Sequence, residues 1–67
     1  MLSARNQLPA KVKSVTLGNV MAEVVMDVAG VEIVSAITRG SAEALGLKAG
    51  DSVKAVIKAT EVLIDKP

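Results

Sequence analysis

The stretch Val20-Met21-Ala22-Glu23-Val24-Val25-Met26-Asp27-Val28 decides the fold. Side chains of a strand alternate between its faces, so residues two apart share a side. One face here reads Val20, Ala22, Val24, Met26, Val28, and the other reads Met21, Glu23, Val25, Asp27. That is the pattern of a half-buried strand with an amphipathic second face. Ala29-Gly30 then supplies a turn, a weaker one than Asn-Gly, and Val31 to Thr38 reads as the returning strand of a hairpin.

Working outward from this hairpin, Lys11 to Leu17 is rich in Val and Thr, but its phase slips. Val12 alternates with lysines, whereas Val15 and Leu17 fall one step out of register. A one-residue slip inside a strand predicts a β-bulge, a device that bends sheets into barrels. Leu2 to Leu8 forms a further short extended segment, ended by Pro9, which has no N–H for a ladder. Ser52 to Lys58 alternates again, and Thr60 to Ile64 reads as a last strand. Only Ser41 to Leu45 reads as helix, with Ser41 as its cap, Glu43 in the favourable first turn and Gly46 in the left-handed closing position. Five to six short strands with one short helix predict an all-β chain. The architecture is a small Greek-key barrel of the oligonucleotide/oligosaccharide-binding (OB-like) type, with residues 1–67 forming a single domain.

The composition says how so small a chain is stabilised. A domain of 67 residues hides only roughly 60% of its surface on folding and usually needs a staple or partner chains. Cysteine and histidine are both absent, which excludes disulfides and ordinary zinc sites. Yet 51% of the residues are hydrophobic, without one aromatic ring, more than a small core can hide. The surplus is expected to form subunit interfaces. A net charge of +1 and the lack of Phe, Tyr and Trp count against nucleic acid, which calls for a basic stripe or stacking platforms. No stretch approaches the roughly 20 apolar residues of a membrane span, and no signal region is seen, so the expected location is cytoplasmic.

Without His or Cys, a nucleophile–base pair of the serine- or cysteine-hydrolase kind is impossible, and no phosphate loop is present. The expectation is a protein that is not an enzyme. Anion binding is better supplied, because a tetrahedral dianion needs converging N–H or O–H donors and a cation for charge balance. Ser3 and Arg5 are two apart and share a face, with Ala4 between them and Asn6 facing away to brace the backbone. Gly40-Ser41 opens the short helix, where free N–H groups favour anions. Lys58 ends a strand and is followed by the small residues Ala59-Thr60. Each signal has a plainer reading: Arg5 as a solvated charge, Ser41 as a cap, Lys58 as an edge-strand gatekeeper. Val20, Val24, Met26, Val34, Val53 and Ile57 are assigned to core or interface.

Four segments together resemble one family: Ser-Ala-Arg-Asn-Gln at 3–7, Gly-Asn-Val-Met-Ala-Glu-Val at 18–24, Ser41 through Leu45-Gly46-Leu47-Lys48-Ala49-Gly50-Asp51, and Val-Ile-Lys-Ala-Thr-Glu-Val at 56–62. They are similar to the molbindins, the small Mop-type molybdate-binding proteins, over essentially the whole chain. The resemblance implies an OB-type barrel in a homo-hexamer arranged as a trimer of dimers. It also implies non-covalent binding of molybdate or tungstate at subunit interfaces for intracellular storage, with no organic cofactor. Carried over by position, the main oxyanion site takes Ser3, Ala4, Arg5 and Asn6 from one subunit, and Gly40, Ser41, Lys58 and Ala59 from its neighbour. A second class of site would use Gly18, Asn19, Val20 and Met21, where many members of the family carry Gly-Ala-Val-Asn instead. The competing reading is a structural oligomerisation module whose anion sites are vestigial.

Overall fold

The computed structural model describes residues 2–67. Strands β1 (Asn6–Leu17), β2 (Met21–Val28) and β3 (Val31–Thr38) lead into helix α1 (Arg39–Leu45), which is followed by β4 (Ser52–Ile57) and a 3-10 turn, η1 (Ala59–Glu61). One antiparallel sheet has the order β3-β2-β1-β4. The five to six strands expected from the sequence are therefore four, for two reasons.

The first lies at Pro9, which does not end a strand: β1 runs through it to Leu17. The first half of β1 pairs only with β4, from Asn6↔Ile57 to Lys11↔Ser52, and pairing with β2 starts at Lys11↔Asp27. Val12 donates to the Asp51 carbonyl and accepts from Gly50 N–H, so its backbone groups face the β4 side. Residues alternate along an antiparallel strand, so Pro9, three positions earlier, turns its nitrogen to the other edge. There β2 has not yet begun, and the missing donor costs no ladder bond.

The second reason lies at the chain end. Thr60 to Ile64 finds no strand to pair with, so η1 and an irregular segment stand where a strand was expected.

The phase slip is a bulge. Register shifts between Val12 and Ser14, so Val12 points inward at 3% exposure and Val15 faces the core again three residues later. Val12, Val24, Met26 and Ala55 make the buried cluster, with Leu8, Ile33, Ile37 and Val53 packed around it. Val20 and Val34, assigned from sequence to core or interface, are exposed: Val20 lies in the turn before β2, and Val34 has the outward parity of β3. The β2–β3 turn uses Ala29 at φ 51° and Gly30 at φ 89°, the two left-handed residues of a type I′ hairpin.

Helix α1 starts earlier than expected. Thr38, not Ser41, is its cap, and the Thr38 hydroxyl accepts from Ser41 N–H at 3.1 Å. Glu43 consequently leaves the first turn and pairs instead with Arg39 one turn back, at 3.3 Å. The end behaves as predicted: Gly46 is left-handed (φ 61°), its N–H donates to the Glu43 carbonyl, and Leu47 N–H reaches the Ala42 carbonyl. Among the described residues no helix is long and apolar enough to cross a membrane.

Candidate anion-binding site

Ser3, Ala4 and Arg5 precede β1, and Lys58, Ala59 and Thr60 follow β4. Antiparallel pairing of Asn6 with Ile57 brings the two segments side by side, because the entry of one strand lies against the exit of the other. The Asn6 side chain secures that junction by donating from Nδ2 to the Ile57 carbonyl at 3.1 Å. Gln7 donates from Nε2 to the Ala4 carbonyl at 2.8 Å and holds the approach to β1 in place. Between the segments lies an open cavity of about 450 Å³ lined by Ser3, Ala4, Arg5, Val56, Lys58, Ala59 and Thr60.

The chemistry of this lining is one-sided. It holds two cations, two hydroxyls and no carboxylate. Among the described residues the ion pairs are Lys13–Glu32 and Arg39–Glu43, so neither Arg5 nor Lys58 has a carboxylate within 4.0 Å. Turn η1 adds backbone donors: Glu61 and Val62 N–H close it onto the Lys58 and Ala59 carbonyls, whereas Ala59 and Thr60 N–H lie at its open start. Far from the cavity, hydrogen bonding and the charge of Glu32 hold the Lys13 ammonium above the ordinary lysine range, so that cation is committed to a surface pair. No cluster of three or more His, Cys, Asp or Glu able to hold a metal ion occurs among the described residues.

Lys58 and Ala59 therefore share a cavity with Ser3, Ala4 and Arg5 within one chain. Asn6 does not line the cavity; its side chain is used on Ile57. Gly40 and Ser41 do not line it either, and register puts the start of α1 beside the opposite, Leu17 end of β1. Thr38 donates to Ser41 Oγ at 2.8 Å while accepting from Ser41 N–H, which leaves the Ser41 hydroxyl proton free for another acceptor. Gly18 to Met21 form the β1–β2 turn, and Arg39 binds the Gly18 and Val20 carbonyls while Gly18 N–H is used on Met21. Thr60 and Val56 are additional lining residues. The sequence reading took Thr60 only as a small residue beside Lys58 and not as a donor; the 3-10 turn after Lys58 places it in the lining.

The chain is thus an OB-like sheet with a cationic cavity at the β1–β4 junction, and comparison with known proteins gives its family. The chain belongs to the TOBE domain family, whose pattern matches residues 2–64. It is 50% identical over 64 residues to molybdenum-pterin-binding protein 3 of Clostridium pasteurianum, covering 94% of each chain. A probable molybdenum-pterin-binding protein of Haemophilus influenzae is 39% identical over 64 residues, 94% of this chain and 93% of that one. Among solved structures, a molybdate binding protein from Sporomusa ovata superposes with a TM-score of 0.94 at 48% identity, covering 98% of both chains. An apo form of MopII from Clostridium pasteurianum gives a TM-score of 0.92 at 46% identity, with 98% of this chain and 100% of that one covered. These are the molbindins that the sequence resembled.

Proposed function

We propose that this chain binds molybdate, and also tungstate, as a free oxyanion at the β1–β4 junction, as a cytoplasmic store and not as an enzyme. The observation that carries the reading is the convergence of Arg5 and Lys58, both without acidic partners, on one cavity lined by no carboxylate. A dianion placed there exchanges water for two cationic donors, the Ser3 and Thr60 hydroxyls and the open N–H groups of Ala59 and Thr60. Such charge-assisted bonds are about twice as strong as neutral ones. Kinship with proteins named for molybdate and molybdenum-pterin binding supports the same ligand.

No covalent step and no organic cofactor enters this reading. Asn6 acts by fixing the junction through Ile57, and Ala4 by leaving room between Ser3 and Arg5. Gly40 and Ser41 complete the shell from a neighbouring copy within a homo-hexamer, a trimer of dimers. Support for that role is local: a Cβ on Gly40 would meet nothing within 4 Å, so the chain's own packing does not require a glycine there. Gly18, Asn19, Val20 and Met21 offer a poorer second site, since the Gly18 N–H is already spent on the Met21 carbonyl. One anion per chain is the expected filling.

Equilibrium dialysis with molybdate tests the reading, with sulfate as competitor because discrimination between the two rests on cavity size. Arg5→Ala removes a bond worth about 1.5–3 kcal/mol and is expected to weaken uptake by roughly one to two decades. Lys58→Ala behaves the same way, and Lys11→Ala, on the exposed face of β1, leaves uptake unchanged. Full affinity in a correctly folded Arg5→Ala protein would overturn the assignment.

A further inference from the structure

An oxyanion that keeps a hydroxyl needs an acceptor for that proton, whereas a fully deprotonated one needs donors alone. The β1–β4 cavity is short of acceptors. Its lining contains no carboxylate. The Ala4 carbonyl takes the Gln7 amide at 2.8 Å, the Lys58 carbonyl takes Glu61 N–H at 2.8 Å, and the Ala59 carbonyl takes Val62 N–H at 3.4 Å. Beside them the Ile57 carbonyl takes the Asn6 amide at 3.1 Å. Each of these oxygens is thereby aimed at a donor of the chain itself. The Ser3 and Thr60 hydroxyls can accept a ligand proton only by giving up a bond they would donate to it. A neighbouring copy would add more of the same, because Thr38 donates to Ser41 Oγ and leaves the Ser41 proton free.

We propose, resting on the anion reading above, that this site selects by protonation state: it takes fully deprotonated tetrahedral dianions and rejects those that keep a hydroxyl, with Gln7 holding the Ala4 oxygen out of the site. A donor left facing a donor has no partner for either proton, and a polar group deprived of its partner is rejected far more strongly than one that merely fits poorly. Gln7 touches no ligand and is a positioning residue. The Ala4–Arg5 peptide is trans, so its N–H points opposite its carbonyl, and the bond that turns the Ala4 oxygen also fixes the direction of Arg5 N–H. The η1 bonds are made by backbone groups, which leaves Gln7 as the side chain through which an acceptor beside Arg5 is kept occupied. Sulfate, itself fully deprotonated, escapes this filter, and size alone separates it from molybdate.

Vanadate is the probe, because it is tetrahedral, close to molybdate in size and, in mildly alkaline buffer, a dianion that still carries a hydroxyl. Equilibrium dialysis at dilute anion, where vanadate stays monomeric, is expected to give a vanadate affinity at least about tenfold below that of molybdate. Gln7→Ala frees the Ala4 carbonyl to accept the vanadate hydroxyl, and the gap is expected to narrow by about threefold. Gln7→Lys restores a donor for the same carbonyl and is expected to return the wild-type ratio. A merely structural role for Gln7 would lower both affinities together and leave their ratio alone. Gln7 is exposed, and circular dichroism shows whether each variant keeps its sheet. Vanadate bound as tightly as molybdate by the wild type overturns the selection. An unchanged ratio in folded Gln7→Ala overturns the role given to Gln7. Failure of the wild type to take up molybdate is a different result, which overturns the anion reading and this inference with it.

Discussion

At the scale of single residues, two glycines separate packing from binding. Gly18 sits where an added Cβ would lie 2.8 Å from the Met21 carbonyl oxygen, a backbone atom that cannot step aside. Its small size is thus explained by the turn alone. Gly40 faces open space in the first turn of α1 and lacks any such reason. Gly40→Ala is accordingly expected to stabilise the fold by about 0.5–1 kcal/mol through helix propensity. If a ligand approaches across a subunit boundary, the same change lowers molybdate affinity. Urea unfolding and dialysis on the one variant read the two effects separately. Arg5 and Lys58 were visible in the sequence as cations, but only the Asn6–Ile57 pairing and the Asn6 amide bond show that they belong to one cavity.

At the scale of elements, alternation was a reliable guide wherever one face is buried. The inward row Ala22, Val24, Met26 and the bulge after Val12 could be read directly from residue order. The errors arose where a competing partner decides. Pro9 looked like a terminator because nothing in the order of residues reveals that its nitrogen faces an empty edge. Ser41 looked like the cap because Thr38, also a good cap, read equally well as the end of β3. The hairpin turn offers a test of local strain. Ala29 is held at φ 51°, a conformation costing an L-residue about 1–2 kcal/mol. Asparagine tolerates it better. Ala29→Asn is expected to recover about 1 kcal/mol of this and to raise the thermal midpoint by several degrees at equal protein concentration.

At the scale of the whole molecule, the chain is incomplete as a barrel. Its sheet is open between β3 and β4, its core is built around four buried side chains, and large apolar residues such as Leu17, Met21, Leu45 and Leu63 face outward. The proposed ligand site, shared between copies of the chain, would link binding to assembly. Molybdate at about 100 times its dissociation constant is expected to add about 2.7 kcal/mol of stability by mass action. The measurement is the thermal midpoint as a function of molybdate at fixed protein concentration. A midpoint that ignores molybdate while sulfate has no effect either would argue for the structural-module alternative.

By itself the sequence determined the β class, the hairpin, the bulge, the helix closure at Gly46 and the residue types able to hold an anion. Each of these depends on periodicity or on the conformational limits of one residue, which are local properties. Tertiary structure alone decided that β1 continues through Pro9, that Thr38 caps α1, that the segment after Glu61 has no partner in its own chain, and that Lys58 and Ala59 stand beside Arg5. Those outcomes depend on which strand edge meets which. Residues 5 and 58 become neighbours only because two distant strands pair.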